Sequence, residues 1–394
     1  MIVSTGSTIL GIANGAESGL KLPSPAIIRD KTIASSLVID GAHGEGGGQI
    51  LRTALSLSVI TSRAFRLVNI RAKRRNPGLL PQHLSATRAA AAISGASLAG
   101  DQLGSSELLF APTHAPRPGS YLFDVAEIAG HGSAGSAILI LQTLVVPLAL
   151  AQGESTLVVR GGTHLDWAPA YDDFANAYLP ALRSMGLSAD AELKAWGWYP
   201  AGGGEVMCTI KGGPDAAHPR TSWPRPIEAL ERGPLLRVTG RAIAANLPAH
   251  IAQRMADRAR AGLIDVGVPV RVEPQRVRAV CPGAGIFLLA EYETLAASFS
   301  AHGRQGKPSE AVADEAVAAL REHHASGAAV ELHLADQLLL SLAVAAGPSL
   351  FTMARPTAHL ATNAWTIEQF GLAKITVEEG ILSRVQVLPS AKAR

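Results

Sequence analysis

One arrangement recurs along this chain: strand, helix, strand, helix, then a closing pair of strands. A chain assembled from copies of one unit has few folds open to it. In the first copy Ser36 to Ile39 reads as a strand, the turn D-G-A-H-G-E-G-G-G follows, and a helix is expected over Gln49 to Ile60. In the second, Tyr121 to Val125 leads through G-H-G-S-A-G-S into a helix over Ala137 to Ala151. In the third, Ala329 to His333 reads as a strand, with L-A-D turning into a helix over Gln337 to Ala346. All three helices are apolar nearly all round, as helices buried against a sheet are. Second strands follow at Ala64 to Arg71, Ser155 to Arg160 and Leu350 to Ala354. More polar helices come next, at Pro81 to Ser94, Pro169 to Met185 and Asn363 to Phe370. The closing pair is clearest at Lys374 to Glu379 and Arg384 to Leu388.

Helices alternating with strands predict layered sheets covered by helices, an α/β (α+β) fold. Pro and charge enrichment over Pro214 to Arg232 marks entry into a stretch with its own order. There a strand at Leu235 to Arg241, a helix at Ala249 to Gly262, further strands and a helix at Ser309 to His324 are expected. The expected division is therefore an N-terminal extension over 1–35, a core over 36–222 and 327–394, and an inserted domain over 223–326.

Composition narrows the class. Hydrophobic residues make up 47% of the 394, with aromatics only 5%, which suits tight helix-on-sheet packing. The apolar run Ser133 to Gln152 approaches the ~20 residues of a membrane span, but Gln142 and Pro147 interrupt it. A buried helix is the reading, with no membrane partner. Cys208 and Cys281 are far apart and lack a partner motif, so neither a disulfide framework nor a cysteine-based zinc site is indicated, and a cytoplasmic location is expected. The first 35 residues have no basic start and clean apolar core, so no secretory signal is expected.

Chemistry-bearing residues gather at the repeat junctions. His359, in R-P-T-A-H-L-A-T-N, stands between an expected strand and an expected helix, where an imidazole is available as nucleophile or acid/base. G-E-G-G-G-Q-I-L-R offers Glu45, Gln49 and Arg52 where glycines admit close approach and a helix start favours anions. It is neither a P-loop nor a dinucleotide fingerprint; Glu45 as a simple cap is the competing account. Together with G-H-G-S-A-G-S it points to a phosphate-rich ligand. Arg71, Lys73, Arg74 and Arg75 form the densest basic cluster, running into a helix start at Gln82 and His83. Such a run is either a solvated face or a phosphate grip, which the planar guanidinium suits. Asp336 in E-L-H-L-A-D-Q is either a helix cap or a carboxylate for Mg²⁺ on a polyphosphate. His323 and His324 lack a ligand set and are expected on an exposed helix end.

At these residues the chain resembles the RNA 3′-terminal phosphate cyclases. H-G-E-G-G-G-Q-I-L-R, R-x-x-R-x-x-P-G-L-x-x-Q-H-L, G-S-A-G-S followed by L-Q-T, H-L-A-D-Q-L-L-L and H-L-x-T-N stand in that family's order, and the likeness runs from about Leu37 onward. The resemblance implies three βαβαββ repeats related to the enolpyruvate transferases, with a thioredoxin-like insert. It implies that His359 attacks the α-phosphorus of ATP, that the adenylyl group passes to an RNA 3′-phosphate, and that the neighbouring 2′-hydroxyl closes a 2′,3′-cyclic phosphate. It further implies Mg²⁺ or Mn²⁺ and ATP phosphates at Glu45 and Asp336, and a nucleotide pocket from Gln142 and the segment His333, Leu334, Ala335, Asp336 and Gln337. Phosphates of ATP or RNA would meet Arg52, Arg71, Arg74, Gln82, His83 and Gln49.

Two departures stand out: Ala364 and Trp365 follow the H-L-A-T-N segment, and His333 takes the place of an aromatic expected to stack on adenine. The rival reading is the family's scaffold branch in ribosomal RNA processing, which would lack the nucleophile; His359 stands against it. An enolpyruvyl-type transferase rests on fold analogy alone. The physiological RNA, activity on DNA or 5′ ends and the oligomeric state (a homodimer among the options) stay open.

Overall fold

The computed structural model describes residues 36–129, 132–214 and 222–390. The extension expected over 1–35, and Gly130 and His131 of the second turn, lie outside these residues.

The first unit comprises β1 (Leu37–Asp40), α1 (Gly48–Thr61), β2 (Phe65–Val68), α2 (Pro81–Ser94), β3 (Ser97–Ala99) and β4 (Leu108–Ala111). The second comprises β5 (Ser120–Asp124), the short α3 (Val125–Ala129), α4 (Ala137–Leu150), β6 (Gly153–Gly161), a helical run α5, β7 (Ser188–Ala195) and β8 (Gly204–Gly212). In α5 a π-helical turn, Phe174–Tyr178, joins Tyr171–Asp173 to Leu179–Ser184. Within each unit the first two strands pair in parallel across a helix, and the last two add antiparallel, giving the orders β1-β2-β4-β3 and β5-β6-β8-β7.

The third unit repeats that order from unexpected pieces. Its first strand is β9 (Glu228–Ala229), which pairs in parallel with β14 (Ser349–Met353). The segment Ala329 to His333, expected as that strand, instead leads into a helix that begins at Leu332. The helices α8 (Leu332–Ala343) and α9 (Ala358–Gln369), with β15 (Ala373–Glu378) and β16 (Ser383–Pro389), complete the unit. Between β9 and α8 runs a fourth sheet, from β10 (Leu235–Ala245), β11 (Val270–Val277), β12 (Gly283–Tyr292) and β13 (Ala296–His302), in the order β11-β10-β12-β13. Two helices, α6 (Ala249–Gly262) and α7 (Ser309–Ser326), cover it. Three β-α-β units plus a smaller mixed sheet with its helices are the fold class the sequence implied.

Burial explains the layering. The three units share one apolar core, while Leu235 to Leu320 encloses a core of its own. From Ala137 to Ala149 of α4 every residue except Gln142 is buried. At 14 residues and about 1.5 Å rise per residue, α4 is far shorter than a bilayer core. Among the described residues no helix is long and apolar enough to cross a membrane. His323, expected on an exposed helix end, is buried against Tyr292 and Phe299, because the inner face of α7 seats it there.

Neighbouring aspartates of α5 tie the fourth sheet to the second unit. Asp172 accepts two hydrogen bonds from Arg241 on β10 at 2.6 and 2.9 Å, and its Oδ2 lies 3.0 Å from Nε2 of the buried His164. Asp173 accepts from the hydroxyls of Ser298 and Ser300 on β13, at 2.5 and 2.6 Å. Thr352 of β14 fastens the points where the chain leaves and re-enters the third unit. Its hydroxyl donates to Leu230 O at 2.9 Å and accepts from Ala329 N at 3.1 Å, while its carbonyl accepts from Val330 N at 3.0 Å.

Candidate active site

Four helix N-termini and the edge of the fourth sheet surround a cleft of about 840 Å³. Gly47, Gly48 and Gln49 at the start of α1 line it. The N-cap is Gly47, with no side chain capping the helix, so Glu45 is not the cap. Its carboxylate is turned elsewhere: Oε2 lies 3.0 Å from Nδ1 of His359 and 3.9 Å from Arg74. Gly48 is required by crowding, since a Cβ there would sit 2.3 Å from His83 Nε2 and 2.9 Å from Arg52 Nη1.

His359 is the second residue of α9, which starts five residues earlier than the sequence suggested, at Ala358 after the N-cap Thr357. The Thr357 hydroxyl accepts from Leu360 N at 3.0 Å. The imidazole is half exposed to the cleft. Partial burial, then the nearby Arg52, His333 and Arg74, hold it below the usual histidine range; Glu45 pulls the other way. A neutral ring with Nδ1 toward a carboxylate carries its proton on Nδ1 and leaves the Nε2 lone pair free to attack. Behind it, Trp365 stacks on His43 of the glycine-rich turn, with centroids 3.8 Å apart. The departure at Trp365 therefore joins α9 to the turn that carries Glu45.

Arg52, Arg71, Arg74, Gln82 and His83 all line the same cleft. Burial pulls the Arg52 guanidinium down to about 10, still charged at neutral pH, with Asp336 opposing the shift. Arg71 donates through Nη1 to the carbonyls of Asn76 and Gly78, at 2.5 and 2.9 Å, which shapes the loop and leaves its other donors for a ligand. Gln82 Oε1 accepts from Ser136 N at 3.2 Å. His83 Nδ1 accepts from Leu80 N at 3.2 Å, so Nε2 bears the proton. Burial, then Arg52 and Arg71, push this ring down to about 3. His83 thus offers a neutral N–H donor rather than a positive charge.

The α8 segment is rearranged relative to the expectation. Asp336 is not a cap or a turn residue: it lies inside α8 and is buried. Burial and the nearby Glu331 and Glu45 raise its carboxyl to about 7, against His333 and Arg52. The N-cap is Glu331, although E-L-H-L alternates like a strand; its Oε2 accepts from His333 N and Leu334 N at 2.8 and 3.0 Å. His333 is exposed to the cleft with Nδ1 2.8 Å from Glu331 Oε1, a contact that raises its pKa while solvent tempers the effect. Gln142 donates to Gln337 at 2.8 Å; both, with Leu334, line the cleft. Ala335 does not, being wholly buried in the core. Gly132 to Ser136 of the second turn are also absent from the lining, and the Ser136 hydroxyl caps α4 by accepting from Leu139 N. Asn363, unremarked from sequence, braces the site: its Oδ1 accepts from Thr53 at 2.8 Å and its Nδ2 donates to the Asp336 carbonyl at 2.7 Å.

Among the described residues no group of three or more His, Cys, Asp or Glu side chains is arranged to hold a metal ion. Glu45 and Asp336 make no protein cage, yet Mg²⁺ carried on phosphate oxygens needs only one or two carboxylates. Asp336 fits that role: a buried carboxyl raised to about 7 is more readily ionised when a cation faces it.

The buried rings also set a pH dependence. His83 and His302 are pushed down to about 3 and His323 to about 4, all chiefly by burial. Below the unfolded pKa of about 6.5 the unfolded chain protonates these rings and the folded one does not, so each removes about 1.4 kcal/mol per pH unit as pH falls. Asp336, raised to about 7, acts oppositely over the same window, as do the raised Asp173 and, above about 6.5, His333, while the lowered His164 adds to the loss from the three rings. The urea midpoint is expected to drop between pH 7 and pH 5, and to drop less in His302→Gln. An unchanged or higher midpoint at pH 5 would show that these rings are not held neutral.

The profile of the RNA 3′-terminal phosphate cyclases matches residues 43–377. A protein of that name from Methylococcus capsulatus is 51% identical over 344 residues, covering 86% of this chain and 92% of its own. One from Trichormus variabilis is 49% identical over 354 residues, covering 90% and 99%. One from Salmonella enteritidis is 41% identical over 358 residues, also covering 90% and 99%. An enolpyruvyl transferase structure from Streptomyces tendae aligns at 10% identity with a TM-score of 0.20, covering 90% of this chain and 66% of that one. On the profile and these identities, the chain belongs to the RNA 3′-terminal phosphate cyclase family.

Proposed function

We propose that this protein is an ATP-dependent enzyme that converts an RNA 3′-terminal phosphate into a 2′,3′-cyclic phosphodiester, releasing AMP and pyrophosphate. The observation that carries the reading is His359: a neutral imidazole beside Glu45, in a cleft shared with Arg52, Arg71 and Arg74. His359 Nε2 attacks the α-phosphorus of ATP and pyrophosphate leaves with the electron pair of the broken P–O bond. The RNA 3′-phosphate then displaces the histidine, taking the adenylyl group. The adjacent 2′-hydroxyl attacks the activated phosphate, loses its proton and expels AMP. Covalent catalysis of this kind splits one difficult step into easier ones.

The residues divide by place. Arg52, Arg71, Arg74, Gln49, Gln82 and the His83 N–H meet phosphates, with the open N-terminus of α1 adding backbone donors. Gln142, His333, Leu334 and Gln337 hold the nucleoside, and Ala335 serves only as packing beneath them. Glu45 and Asp336 would hold a divalent cation, Mg²⁺ or Mn²⁺. Such an ion supplies charge neutralisation on the phosphate under attack. In this reading 36–222 and 327–394 form the catalytic core and 223–326 an inserted domain, with β9 of that stretch lent to the core sheet. Two free cysteines accord with a reducing cytoplasm.

The test is a 5′-labelled RNA oligonucleotide ending in a 3′-phosphate, incubated with ATP and Mg²⁺. The expected product resists phosphatase and forms with one AMP and one pyrophosphate per end, whereas a 3′-hydroxyl RNA is untouched. A 3′-phosphate that stays phosphatase-sensitive with folded protein would rule the function out.

A further inference from the structure

Trp167 is 85% exposed, yet it lines the cleft that contains His359. The contrast with Trp196 and Trp198 is instructive: those indoles stack on the buried His164 ring, at 4.7 and 5.1 Å. An indole left in water gives up a large burial gain, so its face is available to a ligand.

The loop that presents Trp167 is anchored at both ends. Thr163 N and His164 N donate to Gly197 O, and Tyr171 N closes back on Thr163 O at 2.9 Å. Ala170 N donates to Asp173 at 2.8 Å, and Asp166, the neighbour of Trp167, lies 3.5 Å from His302 of β13. The platform is therefore held in place before any ligand arrives.

Within the proposed reaction two nucleosides must enter this one cleft, the adenosine of ATP and the terminal nucleoside of the RNA. Two ring faces there are strongly exposed and uninvolved in the chemistry: the His333 imidazole and the Trp167 indole. His333 sits on α8 beside Gln337 and the Gln142 pair, where the ATP nucleoside has been placed. That leaves the indole for the other base. Aromatic stacking tolerates any base, since each has a π-face, and single-stranded ends are commonly held this way.

We infer that Trp167 is the stacking platform for the base of the RNA's 3′-terminal nucleotide, a specificity element of the RNA half of the site. The inference rests on the cyclase reading above and deepens it. Recognition of the end would then combine a charge grip on the phosphate with a sequence-indifferent ring contact.

The test uses the full protein, ATP and 3′-phosphorylated RNA, comparing Trp167→Ala and Trp167→Phe with the parent. Loss of one stacked base should raise the KM for RNA by about tenfold or more in Trp167→Ala, with Phe largely restoring it. Self-adenylylation by ATP without RNA should stay unchanged, which also reports that the variant is folded. An oligonucleotide whose 3′-terminal nucleotide lacks its base should be a poorer substrate for the parent by a similar factor, but should not worsen Trp167→Ala further. An unchanged KM for RNA would overturn the inference. So would a raised KM for ATP in self-adenylylation, which would assign the indole to adenine. Failure of the parent itself to cyclise any RNA end would instead remove the functional reading, and this inference with it.

Discussion

Replacing His359 with alanine should abolish self-adenylylation and lower the rate of ATP-driven RNA cyclisation by at least about 10⁴-fold, the scale expected when a covalent nucleophile is removed. The imidazole is half exposed, so the cost in folding stability should be small. The chemistry divides at one point. RNA supplied already adenylylated at its 3′-phosphate needs only attack by its own 2′-hydroxyl, so His359→Ala should still cyclise it. The label transferred from α-labelled ATP to the parent should be lost in acid and kept in base, as for a phosphoramidate. Because burial and nearby cations hold His359 below the usual histidine range, the loss of labelling on acidification that ring protonation causes should fall at lower pH than a free imidazole would give. Equal labelling of parent and variant would make another residue the nucleophile.

The second large effect lies away from the reacting atoms. Asp172→Ala leaves the partly buried Arg241 guanidinium without its paired carboxylate and His164 without its partner at Nε2. Breaking a buried ion pair from one side costs about 3–5 kcal/mol, because a charge is stranded. Urea unfolding should register that loss, and Asp172→Ala with Arg241→Met should recover part of it by removing the stranded charge as well. A single variant within a few tenths of a kcal/mol of the parent would mean the pair is solvated. Asp173, its neighbour, holds Ser298 and Ser300 at the cleft edge, so Asp173→Ala should blunt catalysis by loosening that wall.

The parts of this structure legible in the sequence are those written by local chemistry. Glycine-rich turns, Pro81 at a helix start and the uninterrupted apolar face of α4 each fix a conformation within a few residues, and the repeat multiplied that signal. Most of the candidate side chains, from Gln49 to His359, do line one cleft. What escaped was decided at a distance. β9 is two residues long and becomes a strand only because β14 pairs with it. Glu331-Leu-His-Leu alternates as a strand would, but once Glu331 caps the helix, Leu334, Leu338 and Leu342 fall on one buried face of α8. The cap reading of Asp336 failed with that same register. Trp167 carried no periodicity at all; its significance is that nothing covers it.

The chain leaves the third unit at Leu230 and returns at Ala329 and Val330, and the single residue Thr352 holds both points. A flexible loop spanning the 122 positions between Leu230 and Thr352 would cost about 4 kcal/mol to close, on the logarithmic dependence of closure entropy on length. A stretch that collapses first around its own core, with its ends brought together, replaces that long loop by a short one. A fourth sheet folded on its own core is therefore an entropic staple for the pairing of β9 with β14. His359 follows β14, so its place in the cleft rests on a strand pairing that the staple makes less costly to close.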